Sequence, residues 1–316
     1  MPFFLITGNE NNFRERNMMR KIELLINFFK GMVIGLANLI PGVSGGTMAL
    51  VMGIYERLVG AIGKFITDKK KRKEYFFFLL PIVCGAVAGI LIFARVFSFL
   101  LASDIFSQPT YFFFIGLILG SLPFLITVHP DMKIRVSRIL FFILGLALVI
   151  LIAFIGGKEN PVDVSKMKFT ILNVFNITGI SIKYAFWLLF CGLLAAVAMV
   201  VPGVSGSAIL LGLGEYKNVL YFVSELMVIQ LIIFGIGAVI GIFGCARLID
   251  YFLKKFPANT YYFIIGLVVA SIFQIVMQFY KSINLSFLPI LLSIIALILG
   301  FILAYGVSKI KKTGKA

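Results

Sequence analysis

A short phrase occurs twice in this chain and limits the folds that the chain can adopt. Pro41-Gly42-Val43-Ser44-Gly45-Gly46-Thr47 is matched 161 positions later, residue 202 against residue 41, by Pro202-Gly203-Val204-Ser205-Gly206-Ser207-Ala208. Each copy lies in an apolar stretch and is followed by a Gly-x-Tyr, ending at Tyr55 and Tyr216. Proline lacks a backbone donor and glycine is conformationally loose, so neither copy continues a regular helix. In hydrocarbon, such a break survives only where it is buried in protein or lines a cavity.

The composition is that of an integral membrane protein. Hydrophobic residues make up 61% of the 316 residues, charged residues 13%, and the mean hydropathy is +1.07. The length allows about six to ten membrane segments. The net charge of +16 comes from basic residues in the loops, which indicates positive-inside topology and attraction to anionic membrane lipids rather than nucleic acid binding. The three cysteines show no metal-ligand spacing, and we expect no metal and no cofactor.

The apolar runs predict six full spans, over residues 76–101, 111–128, 138–156, 227–249, 261–279 and 287–306. The regions 22–63 and 184–223 each hold a broken hairpin around the motif. The apolar arm before Pro41 has ten residues, which reach about 15 Å, half of a roughly 30 Å core. That length predicts a re-entrant hairpin. The arm before Pro202 is longer, so two short full crossings of the membrane are an alternative to a re-entrant hairpin there. Both alternatives return the chain to the side from which it entered.

With a cytoplasmic N-terminus, every loop obeys the positive-inside rule. The cytoplasmic side then receives five basic groups of residues, around Arg14–Lys21, Lys64–Lys73, Lys133–Arg138, Lys254–Lys255 and Lys309–Lys315. The other side receives 103–110, which has no lysine or arginine, and the mixed-charge loop 157–183. The sequence therefore predicts a multi-pass protein of a bacterial plasma membrane with both termini in the cytoplasm.

Each repeat consists of one hairpin, which returns the chain to its own side, and three spans. The chain therefore crosses the membrane an odd number of times per repeat, and the second repeat is predicted to have the opposite orientation to the first. The sequence of Thr110–Leu117 is similar to that of Thr260–Leu267, and Arg95 aligns with Arg247 when the two repeats are compared. The predicted fold is therefore all-α, with two inverted repeats that bring the hairpins together near the midplane. The predicted divisions are a polar, poorly ordered tail (1–19), repeat 1 (20–157), an extracytoplasmic linker (158–183), repeat 2 (184–308) and a basic tail (309–316). Met18 or Met19 is an alternative start to Met1.

The motif offers backbone N–H groups and hydroxyls at a helix start, which favours an anion cradle. Close packing of small residues is the alternative. The candidate substrate-binding residues in the motifs are Gly42, Ser44, Gly45, Gly46, Thr47, Gly203, Ser205, Gly206 and Ser207. Arg95 and Arg247 are candidates for phosphate capture at the two mouths, with membrane anchoring as the alternative reading.

Four residues after the motifs are candidates for coupling or gating. Glu56 and Glu215 are ionisable groups close to a membrane cavity, which are functional by default, although interfacial ion pairs with Arg57 or Lys217 would also explain them. Tyr55 and Tyr216, with Trp187, fit an interfacial aromatic belt better than a site.

Catalysis is not predicted. Gly42-x-Ser44-Gly45 matches an intramembrane serine protease motif, but it occurs twice, and the single histidine, His129, lies in a loop. No apolar span holds an aspartate, and no P-loop is present. We therefore predict that the protein is not an enzyme.

The doubled motif, from Asn38 through Glu56 and from Pro202 through Tyr216, resembles the bacterial PopT-type undecaprenyl-phosphate translocases over residues 20 to 310. The resemblance implies a flippase that returns undecaprenyl phosphate, the lipid carrier for cell wall biogenesis, from the outer to the inner leaflet. A carrier for a small soluble anion and a non-transporting protein that binds anionic lipid remain open. The oligomeric state, a homodimer included, is also open.

Overall fold

The computed structural model describes residues 7–39, 43–154, 168–171, 175–178, 181–225, 227–280 and 283–313, and these are almost entirely helical. The first half contains α1 (Thr7–Asn38), α2 (Gly45–Val51), α3 (Tyr55–Lys64), α4 (Arg72–Ala102), α5 (Ser107–Thr127) and α6 (Val136–Phe154). The second half contains α7 (Ile182–Val200), α8 (Gly206–Gly212), α9 (Tyr216–Ser224), α10 (Val228–Lys255), α11 (Pro257–Phe279) and α12 (Phe287–Thr313). Between the halves, β1 (Lys168–Ile171) and β2 (Phe175–Thr178) pair antiparallel.

Among the described residues, six helices are long and apolar enough to cross a membrane, which confirms the prediction of an all-α integral membrane protein. They are α4, α5, α7, α10, the 257–277 part of α11 and the 287–307 part of α12. Helix α6, predicted to span over 138–156, has an apolar part of 136–152 within the described residues. The β1–β2 hairpin was not predicted, because its short strands lie in a loop of mixed composition.

Part of the predicted N-terminal tail is helical. Residues 1–19 are predicted to form a polar, poorly ordered tail; residues 1–6 lie outside the described residues, and α1 begins at Thr7 and continues to Asn38. No glycine or proline occurs between residues 9 and 30, so nothing in this stretch breaks the helix. The polar residues of the tail therefore extend the first hairpin arm instead of forming a separate segment.

Helices α1 and α4 lie side by side and run in the same direction. The contacts advance in the same direction along both helices. Phe28 lies against Gly85 and Gly31 against Ile82; about one turn further along each helix, Met32 lies against Gly89 and Gly35 against Ala86. A β-carbon on any of these glycines would overlap the facing backbone, so the glycines permit the close approach. Because α1 and α4 are parallel, α2 and α3 bring the chain back to the side on which α1 begins.

The second half repeats this arrangement with α7 and α10. The matching contacts are Leu189 with Gly237, Gly192 with Phe234, and Leu193 with Gly241. These helices are therefore also parallel, and residues 201–227 return to the side on which α7 begins. Both motif regions are thus the tips of helical hairpins that return to their own side.

The halves are joined by two further parallel pairs, α5 with α12 and α6 with α11. Gly116 lies against Leu297 and Gly120 against Phe301, so α5 and α12 run in the same direction. On α6 and α11, Met132 just before α6 accepts a hydrogen bond from Tyr262, and the rings of Phe154 and Phe273 lie 6.2 Å apart near the other end. Each pair contains one helix from each half.

The hairpin tips lie deep in the molecule. Gly35, near the end of α1, faces Ala86, which is close to the middle of α4. Ala196, near the end of α7, faces Gly241, which is close to the middle of α10. The two motifs therefore lie about halfway along α4 and α10, away from both ends of these long helices.

Candidate functional site

The two copies of the motif are in direct contact. The N–H of Gly203 donates to Oγ1 of Thr47 at 2.8 Å, and Oγ of Ser44 donates to the carbonyl oxygen of Val201 at 3.3 Å. Gly46 faces the backbone of the second motif, and a β-carbon there would lie 3.0 Å from a carbonyl oxygen. The duplicated phrase therefore builds one site from both halves of the chain.

The backbone donors of the first motif are used within the protein. Ser44 has the extended conformation of a helix N-cap (φ −106°, ψ 135°), and its Oγ accepts the N–H of Gly46 at 3.2 Å. Oδ1 of Asn38 accepts the N–H of Gly45 at 3.0 Å. Side chains therefore already cap these two N–H groups, and the anion cradle at Gly45 and Gly46 stays a prediction. Gly42 lies outside the described residues.

The N-cap serine of the second motif has nearly the same backbone conformation as that of the first but different hydrogen bonds. Ser205 is an extended N-cap residue (φ −97°, ψ 127°) whose side chain makes no capping bond. Its hydroxyl lies 2.7 Å from the hydroxyl of Ser207 instead. Gly203 has a φ of +80°, a conformation that favours glycine. Polar groups of the second copy are therefore left available for a ligand.

A cavity of about 290 Å³ lies beside the second motif. Its polar lining comes from both copies and consists of Asn38, Ser44, Ser205, Ser207 and Tyr216. Because Oδ1 of Asn38 is occupied by Gly45, its Nδ2 group remains to donate. The remaining walls are apolar side chains and glycine from α7, α8, α9 and α10. The cavity thus combines a small set of neutral donors with an apolar surround.

The two tyrosines after the motifs have different environments. Tyr55 is 2% exposed, and its hydroxyl donates to the carbonyl oxygen of Val200 at 3.1 Å. Tyr216 is partly buried and lines the cavity. The expectation of an interfacial belt is therefore wrong for Tyr55, which is drawn inward because it bridges the two hairpin tips.

Glu215 is buried in a network of neutral donors. Its carboxylate accepts hydrogen bonds from Tyr184 (2.8 Å), Trp187 (2.9 Å) and Asn218 (2.9 Å). Its exposed fraction is 3%, and no lysine or arginine pairs with it among the described residues. Trp187, expected in the interfacial belt, thus serves as one of the three donors. The pairing with Lys217 considered from sequence is not the contact that holds Glu215.

Glu56 has a different setting from Glu215. It is exposed and accepts a hydrogen bond from the hydroxyl of Tyr261, while its neighbour Arg57 pairs with Glu23 at 2.6 Å. Glu56 lines a polar crevice of about 600 Å³ that also contains Lys64. The two predicted coupling residues therefore lie in separate places, one buried and one solvated.

The arms of both hairpins are joined at equivalent positions. Glu23 and Arg57 join α1 to α3, and adding 161 to each number gives Tyr184 and Asn218, which join α7 to the start of α9 through Glu215. An exposed ion pair in the first hairpin is thus replaced by a buried network in the second. Each hairpin is held together as a unit near its open end, and at the tip the arms are joined by the Asn38–Gly45 bond in the first hairpin and by the packing of Gly206 against Ala195 in the second.

Arg95 and Arg247 are not part of the cavity. Both side chains are exposed, Arg95 on α4 and Arg247 on α10, and neither lines the space beside the motifs. The backbone of Arg247 instead packs closely against Gly63 of α3. Capture of phosphate at the two mouths therefore stays a prediction for these arginines.

Sequence reasoning missed the partners of Glu215 and a cluster in which Lys64 and Lys254 pair with Asp250. A signal for the first was present in the repeat, since the offset of 161 relates Tyr184 and Asn218 to the oppositely charged Glu23 and Arg57. No sequence signal identifies the second, because Lys64 and Asp250 lie in different halves and are brought together by the packing of α3 on α10.

The fold and the site define a class of protein: a multi-pass helical membrane protein whose polar site is formed by two broken helices, as in many membrane carriers. A family model described as undecaprenyl phosphate translocase-like matches residues 34–286. The chain belongs to this family, which is named for transport rather than for catalysis.

Two relatives carry the same printed name. The polyprenyl-phosphate transporter of Staphylococcus aureus is 31% identical over 293 residues, which cover 90% of this chain and 96% of the relative. The polyprenyl-phosphate transporter of Vibrio cholerae is 29% identical over 264 residues, covering 80% of this chain and 78% of the relative. No solved structure matches this chain.

Proposed function

We propose that this protein carries undecaprenyl phosphate from the outer to the inner leaflet of a bacterial plasma membrane, with the phosphate head bound in the cavity beside the second motif. The observation that carries the proposal is the position of this cavity, which lies beside the second hairpin tip and is lined by polar residues of both motifs. The hydroxyls of Ser205 and Ser207 and the side-chain amide of Asn38 converge there within apolar walls.

The size of the cavity supports a lipid substrate whose head alone enters the protein. About 290 Å³ holds a phosphate group and the first part of a chain but not a polyprenyl tail. A tail that stays in lipid avoids a cost of about 0.8 kcal/mol for each CH₂ group that would otherwise be exposed to water. Neutral donors suit a carrier, because its substrate must bind and also leave.

The proposed topology rests on inverted repeats with both termini in the cytoplasm. The parallel pairs α1–α4 and α7–α10, joined to the parallel pairs α5–α12 and α6–α11, support opposite directions for the two halves. The basic residues near the starts of α1 and α4 and the end of α10 then lie on the cytoplasmic side, where anionic lipid attracts them.

Inward transport needs charge compensation. The phosphate carries about −1.5 to −2 charges, and moving it against an inside-negative potential costs roughly 3–5 kcal/mol per 100 mV. A proton that travels with the substrate would offset part of this cost. Glu215 is the better placed carrier of that proton, because its carboxylate is buried beside the cavity-lining residue Tyr216 and is held by three neutral donors. A proton on its carboxyl would turn one accepting position into a donor and weaken the hydrogen bonds that its three partners make to the charged form. That weakening would loosen the second hairpin.

Replacing Glu215 with glutamine should remove the dependence of transport on a pH gradient, whereas Glu56→Gln should keep it. The glutamine side chain is neutral at every pH and retains the size of the glutamate. Transport is measured in proteoliposomes with and without an imposed gradient. If both variants respond to the gradient like the parent protein, neither glutamate carries the proton.

The function itself is tested by leaflet transport of labelled undecaprenyl phosphate in proteoliposomes. We expect protein-dependent movement that excess unlabelled undecaprenyl phosphate inhibits and inorganic phosphate does not. Competition by inorganic phosphate would instead indicate a carrier for a small soluble anion. Tight binding of the lipid without any movement would contradict the transport proposal.

A further inference from the structure

The contacts between the halves are not symmetric. On the side where α1 begins, α3 packs against α10: Gly63 lies against the backbone of Arg247, and Lys64 pairs with Asp250 at 3.6 Å. The repeat relates this contact to one between α9 and α4, yet among the described residues those two helices share no comparable contact. The molecule is therefore closed on the α1 side by a contact that has not formed on the other side.

The hairpin tips show the same asymmetry. The hydroxyl of Tyr55 bonds to the carbonyl of Val200. By the offset of 161, the mirrored bond would join Tyr216 to Leu39, and no such bond occurs within the part of the chain that the structure describes. Tyr216 instead lines the cavity, which lies along the first half of α10. The structure thus represents one of two related states, with the cavity on the α7 side of the tips.

One bond that holds this state has no possible counterpart in the other. Thr47 accepts the N–H of Gly203, and the residue that corresponds to Thr47 is Ala208, which has no hydroxyl. Thr47 is 1% exposed and does not line the cavity, so its hydroxyl serves the contact between the tips rather than a ligand. The sequence difference between the two motifs therefore acts on one state only.

We propose that Thr47 is a positioning residue that sets the direction in which the empty carrier faces. The Thr47–Gly203 bond favours the state with α3 closed on α10 and the cavity on the α7 side, which is the outer side in the proposed topology. Transport then exchanges the α3–α10 contact for one between α9 and α4. This inference rests on the proposed carrier function, but it concerns the protein without substrate and can be tested separately.

Cys245 is a native reporter of the closed contact. It lies on α10 directly before Ala246 and Arg247, the residues that face Gly63, and it is 9% exposed. Its thiol contacts the carbonyl oxygen of Val197 on α7, and we expect it to gain access to reagents when α3 leaves the adjoining residues of α10. Cys191 lies on α7 in a separate cluster with Leu210 and Tyr216, and it is fully buried. A thiol reagent therefore distinguishes opening of the α3–α10 contact from general loosening of the protein.

The test measures the rate at which N-ethylmaleimide labels Cys245 in a Cys84→Ala, Cys191→Ala background, in reconstituted protein without substrate. Thr47→Val keeps the shape of the side chain and removes the hydroxyl; we expect labelling roughly two- to tenfold faster, the population shift that the loss of one net hydrogen bond produces. Thr47→Ser keeps the hydroxyl and should label at the parent rate. Ala208→Thr supplies a hydroxyl at the matching position and should also speed the labelling.

The same variants are labelled at Cys191 in a Cys84→Ala, Cys245→Ala background. An unchanged or slower rate at Cys191 in Thr47→Val supports the inference, whereas equal acceleration at both cysteines means general loosening and overturns it. Equal Cys245 rates in Thr47→Val and Thr47→Ser also overturn it, and then leaflet transport by the parent would still support the proposed function. A shift in labelling without leaflet transport would overturn the function but retain the two states.

Discussion

Replacing Ser205 and Ser207 together with alanine should lower leaflet transport of undecaprenyl phosphate at least about 100-fold. Both hydroxyls line the cavity, and neither caps a helix in the way that Ser44 does. A hydrogen bond to a charged group contributes about 1.5–3 kcal/mol, so losing two removes about 3–6 kcal/mol of binding to the phosphate along the transport path. Each 1.4 kcal/mol is a factor of about ten in an equilibrium constant. The measurement is the initial rate in proteoliposomes that contain equal amounts of protein.

A matched control removes two buried hydroxyls elsewhere in the spans. Ser121 and Ser271 each donate to a carbonyl of their own helix at 2.7 Å, away from the cavity. Since those carbonyls already take part in helix bonds, Ser121→Ala with Ser271→Ala should change transport by less than about threefold. If the control pair and the Ser205/Ser207 pair have equal effects, the cavity is not where the phosphate binds.

Replacing Gly203 with alanine should destabilise the folded protein strongly. The φ of +80° is costly for alanine, by about 1–2 kcal/mol, and the added β-carbon would overlap the carbonyl of Leu267 on α11. Overpacking adds about 1–3 kcal/mol. Together these terms should lower the midpoint of thermal unfolding in detergent by about 5–15 °C. Transport should fall as well, because Gly203 lies between the motif tips.

Gly244 provides the control for this variant. It lies on α10, and a β-carbon there would meet no atom within 4 Å. Alanine is the better helix former, so Gly244→Ala should leave the unfolding midpoint unchanged or raise it slightly. An unfolding midpoint for Gly203→Ala equal to that for Gly244→Ala would show that the tip can move away from α11, contrary to the packing described.

Much of the architecture could be predicted from the residues alone. High hydropathy requires a membrane, and the Pro-Gly breaks require shelter within the protein, so a helical membrane protein with two interior breaks followed from composition and one motif. The spans from 72 to 127 and from 228 to 307 lie close to their predicted positions for the same reason. The β1–β2 hairpin and the helical N-terminal tail were missed, because hydropathy carries no information about polar segments.

The candidate site was predictable in place but not in detail. The doubled motif identified both sets of residues that meet at Thr47 and Gly203. It did not show that Asn38 and Ser44 use the backbone donors of the first copy. The two copies of the motif have similar sequences, yet only in the second do the serine hydroxyls line the cavity without capping a helix. Side-chain hydrogen bonds of this kind depend on distances of a few tenths of an ångström, which residue order does not specify.

The sequence by itself determined that this protein lies in a membrane, that its helices are interrupted twice at related places, and that these interruptions must be sheltered inside the protein. Each of these follows from the cost of placing unpaired backbone groups in hydrocarbon, which depends on residue type alone. Only the tertiary structure decided that Tyr55 is buried against the other half, that Glu215 is held by three neutral donors, and that α3 is closed on α10. Those contacts join residues that are distant in the chain, and their formation depends on how the glycine-lined helices pack.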